Sequence, residues 1–316
     1  MTRIHALTDT RPLSVTESVE ELARTQGGVV SRAQAYALGL TRGQARAQVA
    51  ARRWQRVWSR SLCVYTGPVP ADGLAWAAVF EGGDRAMLDG VSALVASGLT
   101  NVEPRAVRVS VPRGVKPLRG AGLDVRRTRR WRSEDRAPAG VPRTRVEVAA
   151  VRAALWAHSD RQAALLVTMA VQQRLTTAER VGRALLDVRR DRRRELLHQV
   201  VLDLLGGAES LGEIDFAAEC RRRGLPMPTR QALVRGKDGR YHLDVWWEEY
   251  GVAVEVDGIH HEWAEAVVGD ALRHNEVTLT RAVVLRVPLL GFRIAKDEFL
   301  EQVERALAAR GWSRAA

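Results

Sequence analysis

A glutamate interrupts an apolar strand near the C-terminal end of the chain. Residues 252–258 read Val-Ala-Val-Glu-Val-Asp-Gly. An ionised carboxylate among valines is costly unless a cation or a hydrogen-bond network compensates it. Glu255 therefore limits the fold, because its strand must lie beside something that can hold the charge. Residues 248–251 read as a hairpin turn, which sets the preceding strand, with Asp244 in it, next to Glu255. A divalent cation shared by Asp244 and Glu255 is the natural compensation. Oxygen-only ligation suits magnesium or manganese. Glu213, on a helix expected from Ser210 to about Arg223, reaches the same point as an outer or third ligand. Four of the seven histidines, His242, His260, His261 and His274, fall in this region too.

The surrounding elements follow from pattern and punctuation. Gly206-Gly207 reads as a linker, and Gly224-Leu225-Pro226 ends the helix that follows it. Strands are expected at Gln231–Arg235, Tyr241–Trp247 and Val252–Val256. A helix from roughly Trp263 to Thr280 leads into an apolar strand, Ala282–Val287, and a helix over Asp297–Arg310 follows. This α-β-β-β-α-β-α order predicts a mixed sheet flanked by helices. Trp246 and Trp247 point to opposite faces of their strand, so one of the two belongs to the core.

Charge divides the chain. The net charge is +12, and all basic residues but Lys116, Lys237 and Lys296 are arginine. Guanidinium groups pair with phosphate oxygens in a bidentate fork, so a polyanionic partner, DNA, is the first expectation. Residues 1–66 carry 10 bases and 4 acids, residues 67–205 carry 24 and 15, and residues 206–316 carry 15 and 18. A basic front before an acidic last third reads as a binding part joined to a part with different chemistry. Residues 18–66 predict helices over Ser18–Gln26, Arg32–Leu38 and Arg42–Arg53, then two short strands round a Ser59-Arg60-Ser61 turn. That is the plan of a winged helix-turn-helix, whose third helix enters the major groove while the wing follows the backbone. Arg42, Arg46, Arg52 and Arg53 along the helix, and Arg56 on the wing, are the expected DNA contacts. The competing reading is a small helical cap with solvated arginines.

Residues 67–205 carry fold but little chemistry. Helices are expected at Leu74–Phe80, Ser92–Leu99, Val146–Trp156, Arg161–Gln173 and Thr177–Val188, and strands at Val107–Val111 and Leu123–Arg132. The arginine-rich run 189–194 reads as a solvated helix end in preference to a phosphate patch. Cys63 and Cys220, the two cysteines, support neither a disulfide framework nor a cysteine zinc site. No uncharged apolar run reaches the roughly 18 residues of a membrane span. No signal-peptide core opens the chain, so a soluble cytoplasmic protein is expected. The fold class is α+β multidomain, divided into 1–66, an α/β middle region over 67–205, and 206–316.

In order along the chain, Leu243-Asp244-Val245, Val254-Glu255-Val256-Asp257-Gly258-Ile259-His260-His261, Asp270-Ala271-Leu272-Arg273 and Val284-Leu285-Arg286-Val287 resemble the PD-(D/E)XK nuclease superfamily. The nearest branch is the one related to the very-short-patch-repair endonuclease. That branch also has an upstream S-x-x-E, matched by Ser210 and Glu213, and a glutamine before the first strand, matched by Gln231. The resemblance covers about residues 209–312 and implies a restriction-endonuclease-like sheet flanked by helices. It implies that Asp244 and Glu255 hold Mg²⁺ or Mn²⁺ with Asp257 as a further metal residue, and that Glu213 is the helix carboxylate. Asp257 replaces the superfamily's lysine, as is usual in this branch, and leaves the general base unassigned. His261 fits that role, since imidazole titrates near neutrality; a water activated by the metal alone is the alternative. Arg273 or Arg286 is placed to steady charge on the phosphate, although Asp270 and Arg273 also fit an ordinary helix ion pair.

Residues 18–66 also resemble the winged-helix domain of abortive-infection type IV antitoxins, members of which repress their own promoters. The match rests on Gly27-Gly28-Val29-Val30-Ser31-Arg32 and on Trp54-Gln55-Arg56-Val57 leading to Tyr65. Two functions are therefore expected: a DNA-binding metal-dependent endonuclease, or an antitoxin-like repressor that keeps the nuclease fold as an inactive scaffold. A third is an adaptor whose middle segment binds a toxin or other protein partner. No heptad seam indicates an oligomeric state.

Overall fold

Reciprocal caps start the first three helices. Ser14, Ser31 and Thr41 each accept a bond from the backbone N–H three residues on, and Glu17, Gln34 and Gln44 return one to the cap's own N–H. The helices are α1 (Val15–Arg24), α2 (Arg32–Ala37) and α3 (Arg42–Ala50). The structure, a computed structural model, describes residues 13–115, 120–206, 216–235, 241–257, 268, 271–272, 274–275 and 284–314.

A strand absent from the sequence expectations, β1 (Val29–Ser31), lies between α1 and α2. It pairs antiparallel with β3 (Ser61–Cys63), which also pairs with β2 (Gln55–Arg56), in the order β1-β3-β2. The apolar faces of the three helices close over Leu62 and Trp54, with Val19, Ala23, Val30 and Leu40 buried around them. Trp54 Nε1 donates to Glu20 Oε1 at 3.2 Å, which satisfies the one polar atom of that ring.

The third helix is shorter than its spacing predicts. It ends at Ala50, Arg52 takes a left-handed φ of 53°, and Arg53 N–H returns to Gln48 O at 3.1 Å. Arg52 and Arg53 therefore stand on the turn after the helix. The chain has to reverse there to send Trp54 into the core.

A fourth helix, α4 (Ala71–Gly82), packs on β1 and β3. Gly27 makes the approach possible: its φ is +62°, and a Cβ there would lie 2.4 Å from Gly73 N. Near the other end of α4, buried Glu81 accepts from Ser59 Oγ and from Arg60 N–H, both at 2.5 Å. The hairpin turn is thus tied to α4. Beyond it, β4 (Met87–Leu88), β5 (Val107–Val111) and β6 (Leu123–Arg127) form a second sheet, antiparallel between β4 and β5 and parallel between β5 and β6. A short helix, α5 (Val91–Val95), packs against β5.

Four helices follow: α6 (Val146–Leu155), α7 (Asp160–Gln172), α8 (Ala178–Leu186) and α9 (Arg194–Gly206). The arginine run before α9 is not uniformly solvated. Arg193 is buried, pairs with Asp160 at 2.9 Å and donates to Leu155 O at 3.1 Å. After α10 (Phe216–Arg223) comes a four-stranded sheet of β7 (Arg230–Arg235), β8 (Tyr241–Trp247), β9 (Val252–Asp257) and β10 (Val284–Pro288). Its order is β10-β9-β8-β7, with only the β9–β10 pair parallel. Helices α11 (Leu289–Ile294) and α12 (Lys296–Ala309) complete the described elements. Asp203 of α9, almost wholly buried, receives Arg293 Nε and Nη2 of α11 at 3.0 and 3.1 Å.

The architecture is α+β, with helices and three sheets. The chain gathers into two compact units, residues 1–96 with 102–145 and residues 97–101 with 146–316; positions 66 and 205 fall inside them. Cys63 and Cys220 are buried and form no disulfide. Among the described residues, no helix is long and apolar enough to cross a membrane.

Gly27→Ala should destabilise the first unit by about 2 kcal/mol or more, from the left-handed φ and the backbone overlap together. A thermal melt reads this as a transition several degrees lower. An unchanged transition would contradict the Gly27–Gly73 contact.

Candidate functional site

Strand register decides what stands beside Glu255. Along β9, Val252, Val254 and Val256 are buried, while Glu255 and Asp257 lie half-buried on the other face. Strand β8 alternates in phase: Leu243, Val245 and Trp247 are buried, and Asp244 and Trp246 share the face of Glu255. Asp244 is the direct antiparallel partner of Glu255, and Arg286 of β10 is its direct parallel partner. A row Asp244–Glu255–Arg286 therefore crosses three strands. Arg286 Nε lies 3.5 Å from Glu255 Oε2, and Asp244 Oδ1 is shielded from solvent.

The neighbouring row is apolar: Trp246, Ala253 and Val284 stand in register, with Trp246 41% exposed. Trp247 is the core member of the tryptophan pair, and its Nε1 donates to Pro226 O at 2.8 Å. Asp257 lies two residues beyond Glu255, a strand separation of about 6.6 Å. Gln231 lies within β7 and accepts from Phe216 N–H at 3.1 Å, which anchors the start of α10 to the sheet.

An amide with no warning in the sequence holds the edge of this sheet. Asn275 is fully buried; its Oδ1 accepts from Arg286 N–H and its Nδ2 donates to Arg286 O, both at 2.9 Å. Nδ2 also donates to buried Gln302 Oε1 at 3.0 Å. Asn275 thereby supplies the hydrogen bonds that a further strand would otherwise make to β10. An asparagine inside an expected helix carries no such signal.

The donor chemistry of the Asp244–Glu255 pair, two carboxylates on adjacent strands, fits a hard divalent cation. Among the described residues no group of three or more His, Cys, Asp or Glu side chains is placed to hold a metal, so Asp257 joins no such cluster. Glu213, His261 and Arg273 lie outside the described residues, as do Ser210, His260 and Asp270.

In the first unit, Arg42 and Arg46 of α3 and Arg56 of β2 line one cavity, and Arg32 of α2 joins them. Arg52 and Arg53 are not among its lining residues, and Arg53 Nε donates to Gln48 Oε1 at 2.6 Å.

No protein-family model matches the chain, and no curated protein matches it. Among solved structures it is similar to the RV2827C protein from Mycobacterium tuberculosis, at 18% identity and a TM-score of 0.39, over 62% of this chain and 79% of that one.

Asn275→Ala should cost about 2 kcal/mol, since it removes bonds from both backbone groups of Arg286. Amide hydrogen exchange at Arg286 should quicken more than at residues of β8. Equal protection in parent and variant would contradict the edge clamp.

Proposed function

We propose that the chain binds DNA through its first unit and hydrolyses DNA phosphodiesters at the acidic face of the four-stranded sheet. The observation that carries this reading is the direct register pairing of Asp244 with Glu255 on one face of otherwise apolar strands. Two like charges facing each other across strands are destabilising, and Mg²⁺ or Mn²⁺ bound by both removes the conflict. When bound, such a cation polarises a phosphoryl oxygen and lowers the pKa of water. Asp244 and Glu255 would hold it through their carboxylate oxygens. Glu213 is the helix carboxylate of this proposal, Asp257 a more remote acid, His261 the general base, and Arg273 with Arg286 the phosphate-steadying cations.

The DNA-binding half of the reading is supported by the element order α1-β1-α2-α3-β2-β3, with its three-stranded antiparallel sheet, which suits a winged helix-turn-helix. Arg42, Arg46 and Arg56 share one side of it. The wing is short and tied to Glu81, so α3 carries more of the proposed contact than the hairpin tip.

One observation favours the second reading, an antitoxin-like repressor with an inactive nuclease fold. Arg286 already offsets the charge of Glu255 without any metal. The two readings part on metal dependence. Supercoiled DNA incubated with the full chain and Mg²⁺ or Mn²⁺ should be nicked, and Asp244→Asn and Glu255→Gln should each lower the rate by more than about a hundredfold. Arg286→Gln should tighten Mn²⁺ binding, because it removes the cation's competitor for Glu255. No nicking by the parent chain, with DNA binding intact, would overturn the enzyme and leave the repressor.

A further inference from the structure

Arg32, Arg42, Arg46 and Arg56 come from three separate elements and surround one cavity of about 370 Å³. Among the described residues, no carboxylate forms an ion pair with any of the four. Guanidinium groups gathered in this way repel one another, and an anion from outside relieves the repulsion. Backbone donors contribute little, because the capping boxes at Ser31 and Thr41 already engage the cap and third-residue amides of α2 and α3. The anion is held by side-chain forks, and all four are arginine, whose planar geometry matches phosphate oxygens and stacks on flat rings.

The floor of the cavity is of a different kind. Tyr36 and Val49, both half-buried, and buried Leu62 line it, and all three belong to the hydrophobic core beneath. A simple inorganic anion would leave this surface unused. The volume lies at the small end of ligand sites, which span about 300–1,000 Å³, and suits one nucleotide better than a length of strand.

We propose that this cavity binds a nucleoside phosphate, with its phosphate oxygens on the arginine rim and its base against Tyr36 and Val49. The unit arrives either as a free nucleotide or as one nucleotide of a strand whose base has left the stack. The inference does not depend on metal chemistry at Asp244 and Glu255, and it assigns Arg32 and Tyr36 a role that contact with a duplex backbone does not require.

Calorimetric titration of the full chain with ADP, AMP and pyrophosphate tests the first source. Fluorescence anisotropy with single-stranded and duplex oligonucleotides of one sequence tests the second. ADP should bind more tightly than pyrophosphate, and Arg32→Gln and Arg46→Gln should each weaken it about tenfold. Tyr36→Ala, checked for folding by its thermal melt, should weaken ADP and leave pyrophosphate unchanged. If that variant fails to fold, the ADP-to-pyrophosphate ratio in the parent chain decides whether the floor is used. Binding of single strands alone, weakened in Arg32→Gln, would support the strand source. Pyrophosphate binding as tight as ADP would overturn the proposal, as would indifference of every probe to Arg32→Gln and Arg46→Gln. Duplex binding weakened in Arg46→Gln, with no binding of nucleotides or single strands, would also overturn it while leaving the DNA-binding reading intact. Nucleotide binding without any duplex binding would do the reverse.

Discussion

The register between β8 and β9 admits no slip. Side chains alternate with a period of two, so a one-residue slip of β8 would carry Asp244 into the core and turn Leu243 and Val245 outward, and the same slip of β9 would do this to Glu255 and Val254. Trp247 enforces the alignment. It is buried edge-on to Phe216, with ring centroids 6.1 Å apart, and Phe216 in turn stacks on Phe292 at 5.5 Å. The aromatic chain joins β8 to α10 and α11. The same register that fills the core therefore presents two carboxylates side by side on the opposite face.

What the sequence made legible was local. Strands 107–111 and 241–247 coincide with their expected spans because alternation is written in the residues themselves. The Asp244–Glu255 pairing was readable because a short hairpin turn joins the two strands. Arg286 was harder to assign: it reaches Glu255 through a parallel crossover, whose register no spacing encodes. β1 has only three residues and a partner across two helices, so no periodicity announces it. The end of α3 was hidden because an arginine, not a glycine, occupies the left-handed position at residue 52. Asn275 acts through its burial against an edge strand, a property that exists only after the fold has formed.

Arginine content gave the chain its first functional suspicion, and the structure sorts those arginines into distinct populations. Arg193 and Arg293 serve as internal struts, each meeting an aspartate at hydrogen-bond distance. Arg223 sits among Asp297, Glu301 and Glu304 along α12. Arg32, Arg42, Arg46 and Arg56 instead share a cavity with apolar residues beneath them. Net charge counts all of these alike. Among these described residues, the last group is set apart by presenting several cations at one cavity, a distinction that composition does not make.

The Arg286–Glu255 contact bears on whether the acidic face is built for a cation or is already settled. Arg286 is 60% exposed at its side chain, and an ion pair so open to water contributes only about 0–1 kcal/mol. It also lies on the far side of Glu255 from Asp244, in the strand order β10-β9-β8. Its charge therefore acts mainly on one carboxylate of the two. A divalent ion held by the pair, as proposed, would act on both carboxylates with two charges in place of one, and would need to displace only a weak, solvated contact. The arrangement is that of a site whose resting compensation is cheap to remove. The contact that speaks for an inactive scaffold is therefore only a weak obstacle to the cation of the proposed function.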